Sequence, residues 1–362
     1  MSRLCDQVKI RYPIIQSGMG RVAGADLVAE VSRAGGLGVL AALNLTPDDV
    51  RLQIRRIRQL TDRPFGVNLW LHPDLMPPVN PDRLSPADVA ATNAALNQAR
   101  QSVGLPETKP SLQPRPDLIG ATIDVILEER IPVWSTALGL PPSDVVERCK
   151  RSGVQIMVMV TNVDDARAAA AAGADVIVAQ GVEAGGHRST WRPGASANVG
   201  TLALVPEVVD AVKVPVVAAG GIADGRGLVA ALALGAAGVL MGTRFVATRE
   251  SMAPAFWKEA ILRSTSDATI LTTAFTGLPA RLLRSRMAAD YEASGAPVLP
   301  GLLQSSLQQD IWSKAAADHN PDYFPLYAGQ SVGLTRGLPS AAEVVDAIVS
   351  EANDVVRGLA EM

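Results

Sequence analysis

Two neighbouring segments decide the fold: Pro215-Val216-Val217-Ala218-Ala219-Gly220-Gly221 and Gly238-Val239-Leu240-Met241-Gly242-Thr243. Each is a short apolar run, rich in β-branched residues, that ends in glycine. A helical pattern at 225–234 separates them. A strand, a helix and a second strand in this order predict a βαβ unit with parallel strands.

The same alternation of apolar runs and Ala-rich helical patterns extends over most of the first 250 residues. The helical patterns include 25–34, 47–60 and 163–172, and most of them end at a glycine that can act as a C-cap. Eight parallel strands with helices between them predict an α/β fold, a closed (β/α)8 TIM barrel. The eight candidate strands are 13–16, 38–40, 65–69, 132–134, 155–160, 175–178, 215–218 and 238–241.

The length of 362 residues exceeds the need of such a barrel, which uses about 250. A proline-rich stretch at 71–117 predicts a long insertion over the barrel mouth, where the loops that follow strands gather. Residues 251–331 contain most of the aromatic side chains, and their looser pattern predicts a smaller, mostly helical cap domain. A capping box at Ser340 and Glu343 predicts that the chain then returns as the eighth barrel helix. The barrel is thus predicted to comprise 1–250 and 332–362.

Composition and charge limit the classes of partner. Lys and Arg number 33 against 36 Asp and Glu, and the net charge of −3 predicts no general attraction to nucleic acid or an anionic membrane. No apolar stretch reaches the roughly 20 residues that a membrane span needs. Cys5 and Cys149 have neither metal-ligand nor disulfide spacing, which is typical of a reducing cytoplasm. We therefore expect a cytoplasmic protein with small-molecule partners and no metal site, and a homodimer is left open.

The two glycine turns also carry the strongest functional signal. Gly220-Gly221 and Gly242-Thr243 follow the seventh and eighth predicted strands, where barrel enzymes form a phosphate site. Glycine lets backbone amides approach phosphate oxygens, because it presents no side chain. The alternative is that these glycines only permit tight turns, and the pattern by itself leaves both interpretations open.

A histidine follows the sixth predicted strand, in Gln180-Gly181-Val182-Glu183-Ala184-Gly185-Gly186-His187-Arg188. His187 could act as a general acid or base, since the unperturbed pKa of imidazole lies near neutrality. A structural histidine is the alternative. His72, at the start of the insertion, and His319, in a polar turn, are interpreted as surface or loop residues.

Two further strand ends contribute groups to the same mouth. Asn68 closes the third predicted strand, and its amide could hydrogen-bond a ring carbonyl or nitrogen. Gly18-Met19 follows the first strand and places a turn and a flexible thioether beside the pocket, although Met is more often a packing residue.

Together these segments resemble the nitronate monooxygenase family, formerly called 2-nitropropane dioxygenases, within a wider group of FMN-dependent TIM-barrel oxidoreductases. The resemblance covers nearly the whole chain. It is carried by Pro13-Ile14-Ile15-Gln16, Arg63-Pro64-Phe65-Gly66-Val67-Asn68, Ala218-Ala219-Gly220-Gly221-Ile222-Ala223-Asp224-Gly225, Met241-Gly242-Thr243-Arg244-Phe245, and the cap segments Phe275-Thr276-Gly277 and Ala328-Gly329-Gln330.

The resemblance implies a role for each matching position. His187 corresponds to the catalytic histidine of the family. The implied FMN contacts are Gly18, Met19, Asn68, Gln180, Gly185, Gly186, Gly220, Gly221, Leu240, Met241, Gly242 and Thr243.

The resemblance also implies a reaction and its alternatives. In the family, the histidine takes the α-proton of a neutral nitroalkane or positions the anionic nitronate, FMN accepts an electron, and O2 completes the oxidation to a carbonyl compound and nitrite. A similar Glu-Ala-Gly-Gly-His segment serves FMN-dependent enoyl-thioester reductases, and related enzymes reduce quinones with NAD(P)H. A non-catalytic flavin-binding barrel is a third interpretation. Ser189 and Met159 depart from residues common in the family, which bears on the substrate more than on the fold.

Overall fold

The structure, a computed structural model, describes residues 3–191 and 198–361, and its centre is a parallel sheet of eight strands. These strands are β1 (Ile14–Gln16), β2 (Gly38–Ala41), β3 (Phe65–Trp70), β4 (Val133–Ala137), β5 (Gln155–Val160), β6 (Val176–Gln180), β8 (Val216–Ala219) and β9 (Gly238–Met241). A separate three-stranded sheet contains β7 (Gly186–His187), β10 (Thr269–Thr272) and β11 (Ala280–Leu283). The eight predicted strands are all present, with ends that shift by a few residues.

The parallel sheet closes on itself between its two edge strands, β1 and β2. Its order is β1-β9-β8-β6-β5-β4-β3-β2. At the seam, the Gln16 amide donates to Leu37 O at 2.9 Å, and the Leu37 amide donates to Ile14 O at 2.9 Å. The Gln16 side chain spans the rest of the seam, because its Oε1 accepts from the Val39 amide at 3.1 Å and its Nε2 donates to Val39 O at 3.2 Å. The predicted (β/α)8 barrel is confirmed.

Apolar side chains form two cores, one inside the barrel and one between the barrel and its helices. Alternate residues of a strand face opposite sides of the sheet, so each strand contributes to both cores. In β9, for example, Leu240 belongs to the inner core and Met241 to the outer one. Leu4 and Val8 of the first helix, Arg3–Val8, join the inner core and close it at the amino ends of the barrel strands.

Helices surround the barrel and continue into the cap. They are α1 (Arg3–Val8), α2 (Ala25–Arg33), α3 (Pro47–Leu60), α4 (Pro86–Ser102), α5 (Ile119–Glu128), α6 (Ser143–Ser152), α7 (Val163–Ala171), α8 (Thr201–Ala211), α9 (Gly225–Ala233), α10 (Thr243–Val246), α11 (Ala255–Arg263), α12 (Arg286–Ser294), α13 (Leu303–Ser306), α14 (Gln309–Ala317) and α15 (Ala341–Ala360). Short 3-10 helices cover Pro81–Arg83, Ser266–Ala268, Pro321–Tyr323 and Gln330–Leu334. No helix in the described ranges is long and apolar enough to cross a membrane.

The last helix, α15, completes the shell of helices around the barrel. It begins with the expected capping box, in which the Ser340 side chain accepts from the Glu343 amide and the Glu343 side chain accepts from the Ser340 amide. The helix packs against α9 and α2 with Val344, Val345 and Ile348 buried. Its Glu351 carboxylate also accepts a hydrogen bond from the Gly225 amide at the start of α9, at 2.8 Å.

The insertion at 71–117 contains a helix of 17 residues, α4, which its proline content did not suggest. Ser85 caps this helix and Pro86 lies in its first turn, where the missing amide proton costs nothing. The helix is tied to the cap, since buried Arg100 pairs with Asp310 at 2.7 Å and the Thr92 hydroxyl donates to Pro297 O at 2.7 Å. Insertion and cap are therefore joined by polar contacts between α4 and the cap segment.

The segment predicted as a cap, 251–331, contains a β-hairpin as well as helices. Strands β10 and β11 pair antiparallel, and β11 also pairs with β7, the short strand that carries His187. The segment is therefore mixed rather than purely helical. The division of the chain into a barrel domain and a cap domain stays a prediction.

Candidate active site

The predicted site residues lie at the carboxyl ends of the barrel strands, which meet at one end because the strands are parallel. Gly18 follows β1 and Asn68 belongs to β3, and the two are in close contact. A Cβ on Gly18 would lie 2.5 Å from the Cβ of Asn68, so only glycine fits there. The Asn68 amide donates to Ser135 Oγ of β4 at 3.1 Å, which holds its side chain in place.

The two glycine turns after β8 and β9 present unused backbone donors. Gly220 and Gly221 have φ of 106° and 73°, in the left-handed region that favours glycine. Within the described ranges, the amides of Gly221, Gly242 and Thr243 donate no hydrogen bond. Unpaired amides that follow the carboxyl ends of two adjacent strands are suited to bind an anion.

An arginine directly after these turns adds positive charge. Arg244 is 9% exposed, and its Nη1 is buried without a hydrogen-bond partner among the described residues. Burial lowers the pKa of this guanidinium, although an arginine stays charged at neutral pH. A buried cation without a partner is costly unless a ligand supplies an anion.

The side chains of Leu240 and Met241 diverge, although both were predicted to contact FMN. Leu240 faces the barrel interior, where a ligand at the mouth can meet it. Met241 is 1% exposed in the outer core, and its carbonyl accepts from the Ser17 amide at 3.0 Å. A ligand at the mouth can therefore reach only the backbone of Met241.

The loop that carries His187 is held by hydrogen bonds to its own backbone. Gln180 Nε2 donates to His187 O at 3.0 Å, and Gln180 Oε1 accepts from the Ser189 amide at 2.9 Å. The Arg188 guanidinium donates to Gly181 O and Gln180 O at 2.8 Å each. Burial, then the charge of Arg281, lowers the pKa of Arg188 to about 10.

Ser189, one of the departures from the family pattern, is a structural link in this loop. Its hydroxyl donates to Met159 O at 2.9 Å and accepts from the Leu138 amide at 2.9 Å. It thereby ties the loop to the ends of β5 and β4. Met159, the other departure, packs in the inner core with 8% of its surface exposed.

His187 lies between a hydroxyl and two aromatic rings. Its Nε2 is 2.8 Å from Thr276 Oγ1, and its ring centroid is 4.6 Å from that of Trp70 and 5.4 Å from that of Tyr327. Burial, assisted by the charge of His72, lowers the pKa of His187 to about 3. The imidazole is therefore neutral at physiological pH.

His72 was interpreted as a surface or loop residue, and its place in a loop agrees with that interpretation, although its side chain is largely covered. Its side chain lies on the loop after β3 but is only 15% exposed, and its Nδ1 accepts from the Asp74 amide at 3.1 Å. Burial lowers the pKa of His72, while Asp74 raises it. The interpretation of His319 holds, since that residue is exposed.

Three site residues come from the cap and had no role assigned from the sequence. Thr276 contacts His187, and the Tyr327 ring lies beside the imidazole at an interplanar angle of 43°. Gly329 donates its amide to Thr243 Oγ1 at 2.8 Å, and a Cβ on Gly185 would lie 2.4 Å from the Gly329 amide nitrogen. The only signal for Thr276 and Gly329 was the resemblance of their cap segments to the family, and Tyr327 had no signal beyond its place among the aromatic residues of the cap.

Comparisons with other proteins agree over the length of the chain. The sequence model of the nitronate monooxygenase family matches residues 1–351. A probable nitronate monooxygenase of Staphylococcus saprophyticus is 35% identical over 359 residues, which are 98% of this chain and 99% of that protein. A probable nitronate monooxygenase of Staphylococcus aureus is 34% identical over 358 residues, 98% of each protein.

Two solved structures show the same fold at similar identity. The nitroalkane oxidase from Streptomyces ansochromogenes is 36% identical with a TM-score of 0.87, covering 98% of this chain and 99% of that one. FabK from Thermotoga maritima is 31% identical with a TM-score of 0.78, covering 100% and 99%. On these grounds, the chain belongs to the nitronate monooxygenase family of flavoprotein oxidoreductases.

Proposed function

We propose that the protein uses FMN to oxidise alkyl nitronates, such as propionate 3-nitronate, with O2 to a carbonyl compound and nitrite. The observation that carries the choice of substrate is the position of His187 between Thr276 and the rings of Trp70 and Tyr327, where burial lowers the pKa of its imidazole to about 3. A base with so low a pKa removes a proton from carbon poorly. A nitronate is already deprotonated, so it needs a hydrogen-bond donor rather than a base.

The residues at the strand ends fit FMN. The unpaired amides of Gly221, Gly242 and Thr243 and the buried guanidinium of Arg244 would hold its phosphate. The other predicted contacts would surround its ring: Gly18, Met19, Asn68, Gln180, Gly185, Gly186, Gly220 and Leu240. The chemistry supplied by bound FMN is the acceptance of an electron from the nitronate.

The chain itself binds and orients the nitronate. The neutral imidazole of His187 can donate one N–H to a nitronate oxygen. Trp70 and Tyr327 flank the imidazole with aromatic rings and restrict the access of water. A hydrogen bond to an anion is stronger where water is excluded.

The experiment is anaerobic mixing of the FMN-loaded protein with propionate 3-nitronate in one cuvette and with NADH or NADPH in another. We expect the nitronate to change the flavin spectrum within seconds and to yield nitrite once air is admitted, while the nicotinamide leaves the spectrum unchanged. Absence of any response to the nitronate would refute the proposal.

The second candidate is an FMN-dependent NAD(P)H reductase of enoyl thioesters or quinones, and the likeness to FabK is the observation that favours it. Rapid bleaching by NADH or NADPH, with no response to the nitronate, would establish it. The cytoplasmic location, the use of O2 and a homodimer stay predictions.

A further inference from the structure

We propose that Thr276 of the cap is the positioning residue of His187: its hydroxyl donates to Nε2 and thereby leaves the single ring proton on Nδ1, facing the substrate. This inference rests on the proposed function, because it names the atom that would bind the nitronate. It also makes the cap a part of the site rather than a cover over it.

The hydrogen bonds around the Thr276 hydroxyl decide its direction. Thr276 is 6% exposed, and its Oγ1 lies 2.8 Å from His187 Nε2, 3.3 Å from Leu278 O and 3.4 Å from the Leu278 amide nitrogen. A hydroxyl has one proton to donate and can accept others. The Leu278 amide can only donate to Oγ1, so the choice for the hydroxyl proton is between Nε2 and Leu278 O. The imidazole nitrogen is nearer by half an ångström and is the acceptor we assign.

The other ring nitrogen then follows from the charge state. A neutral imidazole carries one proton, and if Nε2 accepts, that proton is on Nδ1. Among the residues that the structure describes, Nδ1 makes no hydrogen bond. An N–H in a mostly buried position without a protein partner is available to a ligand oxygen.

Two fully buried glutamines, Gln304 and Gln308, hold the loop that carries Thr276 through hydrogen bonds to its backbone. Gln304 Nε2 donates to Ala274 O at 3.1 Å, and Gln308 Nε2 donates to Ala274 O and Phe275 O at 3.0 Å each. Gln304 Oε1 accepts from the Leu299 amide at 3.1 Å. The hydroxyl is therefore presented to the imidazole by a rigid support, as the positioning of a functional group requires.

The first test is the ¹⁵N spectrum of the FMN-loaded protein with labelled histidine, with His187 assigned by comparison with His187→Asn. We expect Nδ1 of His187 to be protonated and Nε2 to be unprotonated. A protonated Nε2 would overturn the inference, and this result needs no Thr276 variant and no turnover.

The second test is a pH titration of His187 in the Thr276→Val variant, monitored through the same ¹⁵N signals of the imidazole. The hydroxyl bonds the lone pair of Nε2, which exists only in the neutral ring, so its loss should raise the pKa of His187. In Thr276→Ser, which keeps the hydroxyl, the pKa of His187 should equal that of the wild type. An unchanged or lowered pKa in Thr276→Val would contradict the assignment, since a hydroxyl that accepts from Nε2–H has the opposite effect.

The third test is kinetic. We expect Thr276→Val to raise the KM for propionate 3-nitronate about five- to tenfold, the loss of one hydrogen bond, with a smaller change in kcat. The matched control is Thr272→Val on the same hairpin, whose buried hydroxyl accepts from the Ala274 amide at 3.2 Å and does not contact His187. An equal effect in both variants would show that the hairpin fold, not the hydrogen bond, is responsible.

The outcomes separate this inference from the proposed function. If nitronate is not turned over but Nδ1 is protonated, the role of Thr276 stands and the substrate is wrong. If nitrite is formed but Nε2 is protonated, the substrate stands and the role of Thr276 is wrong.

Discussion

The turns after β8 and β9 and the surroundings of His187 are built in different ways. In the turns, the functional groups are backbone amides: after β8 the left-handed conformations of Gly220 and Gly221 position them, and after β9 Gly242 has an ordinary φ of −104°. Around His187, the groups are side chains from β3, the 180–189 loop and the cap. The first region depends on local conformation, whereas the second depends on how separate segments pack.

Because of this difference, we expect the two regions to respond to different kinds of substitution. The turns should respond to changes in local charge and conformation, with an effect on ligand affinity. The surroundings of His187 should respond to any change that moves the cap hairpin relative to the barrel. The predictions below test this division, and they are ordered by the size of the expected effect.

Replacement of His187 by Asn should have the largest effect. Asn keeps a donor but is shorter and does not reach the position of the imidazole, so nitrite formation from propionate 3-nitronate should fall about 100-fold or more. Steady-state nitrite assays measure this. The control is His319→Asn, an exposed histidine that should leave the rate unchanged. An unaltered rate in His187→Asn would remove the catalytic role from this residue.

Replacement of Arg244 by Met should weaken FMN binding about tenfold, the loss of a charge-assisted contact. Binding of riboflavin, which has no phosphate, should change less than twofold. Flavin fluorescence during titration of the apoprotein gives both affinities. The control is Arg226→Met, an arginine of α9 that is exposed and paired with Asp224. An equal loss for FMN and riboflavin would show that Arg244 only supports the local fold.

Replacement of Gln304 by Leu should lower the free energy of unfolding by about 1–3 kcal/mol, because the buried Leu299 amide loses its acceptor. Denaturant unfolding measures the change. The control is Gln98→Leu on α4, where the glutamine is exposed and the expected change is within about 0.5 kcal/mol. Similar losses in the two variants would mean that the buried amides do not support the hairpin.

The smallest effect is a pH dependence of stability. The pKa of His187 falls from 6.5 to about 3 on folding, so the unfolded chain binds this proton first as the pH drops. The free energy of unfolding therefore has its full value above pH 6.5, where His187 is neutral in both states. It decreases progressively below that pH, by about 1 kcal/mol between pH 7 and 5.5. The slope of unfolding free energy against pH should be shallower in His187→Asn. Identical slopes would mean that His187 is not buried in a neutral form.

The sequence predicted the elements with a local cause. The apolar runs and their terminal glycines predicted all eight barrel strands, because strand, turn and helix each leave a pattern within about ten residues. Helix α4 was missed since its prolines suggested a loop, although Pro86 occupies a position that tolerates proline.

The sequence could not predict contacts that packing alone creates. Thr276 lies 89 residues from its partner His187, and no periodicity connects a cap loop to a barrel strand end. The burial of His72 has the same origin, because its local sequence does not reveal what covers it. The variant His187→Asn tests the predicted role of His187, and the FMN contacts stay predictions.

The position of α15 has a consequence for synthesis on the ribosome. Strand β9 ends at Met241, but the helix that packs against α9 and α2 begins only at Ala341. When the eighth strand has emerged, the nascent chain therefore has its full set of strands and an uncovered apolar stripe on two helices. Partly folded chains with such exposed surfaces are prone to aggregation. A chaperone that binds apolar surface should therefore associate with translation intermediates that end between β9 and α15, and should be released once α15 has docked.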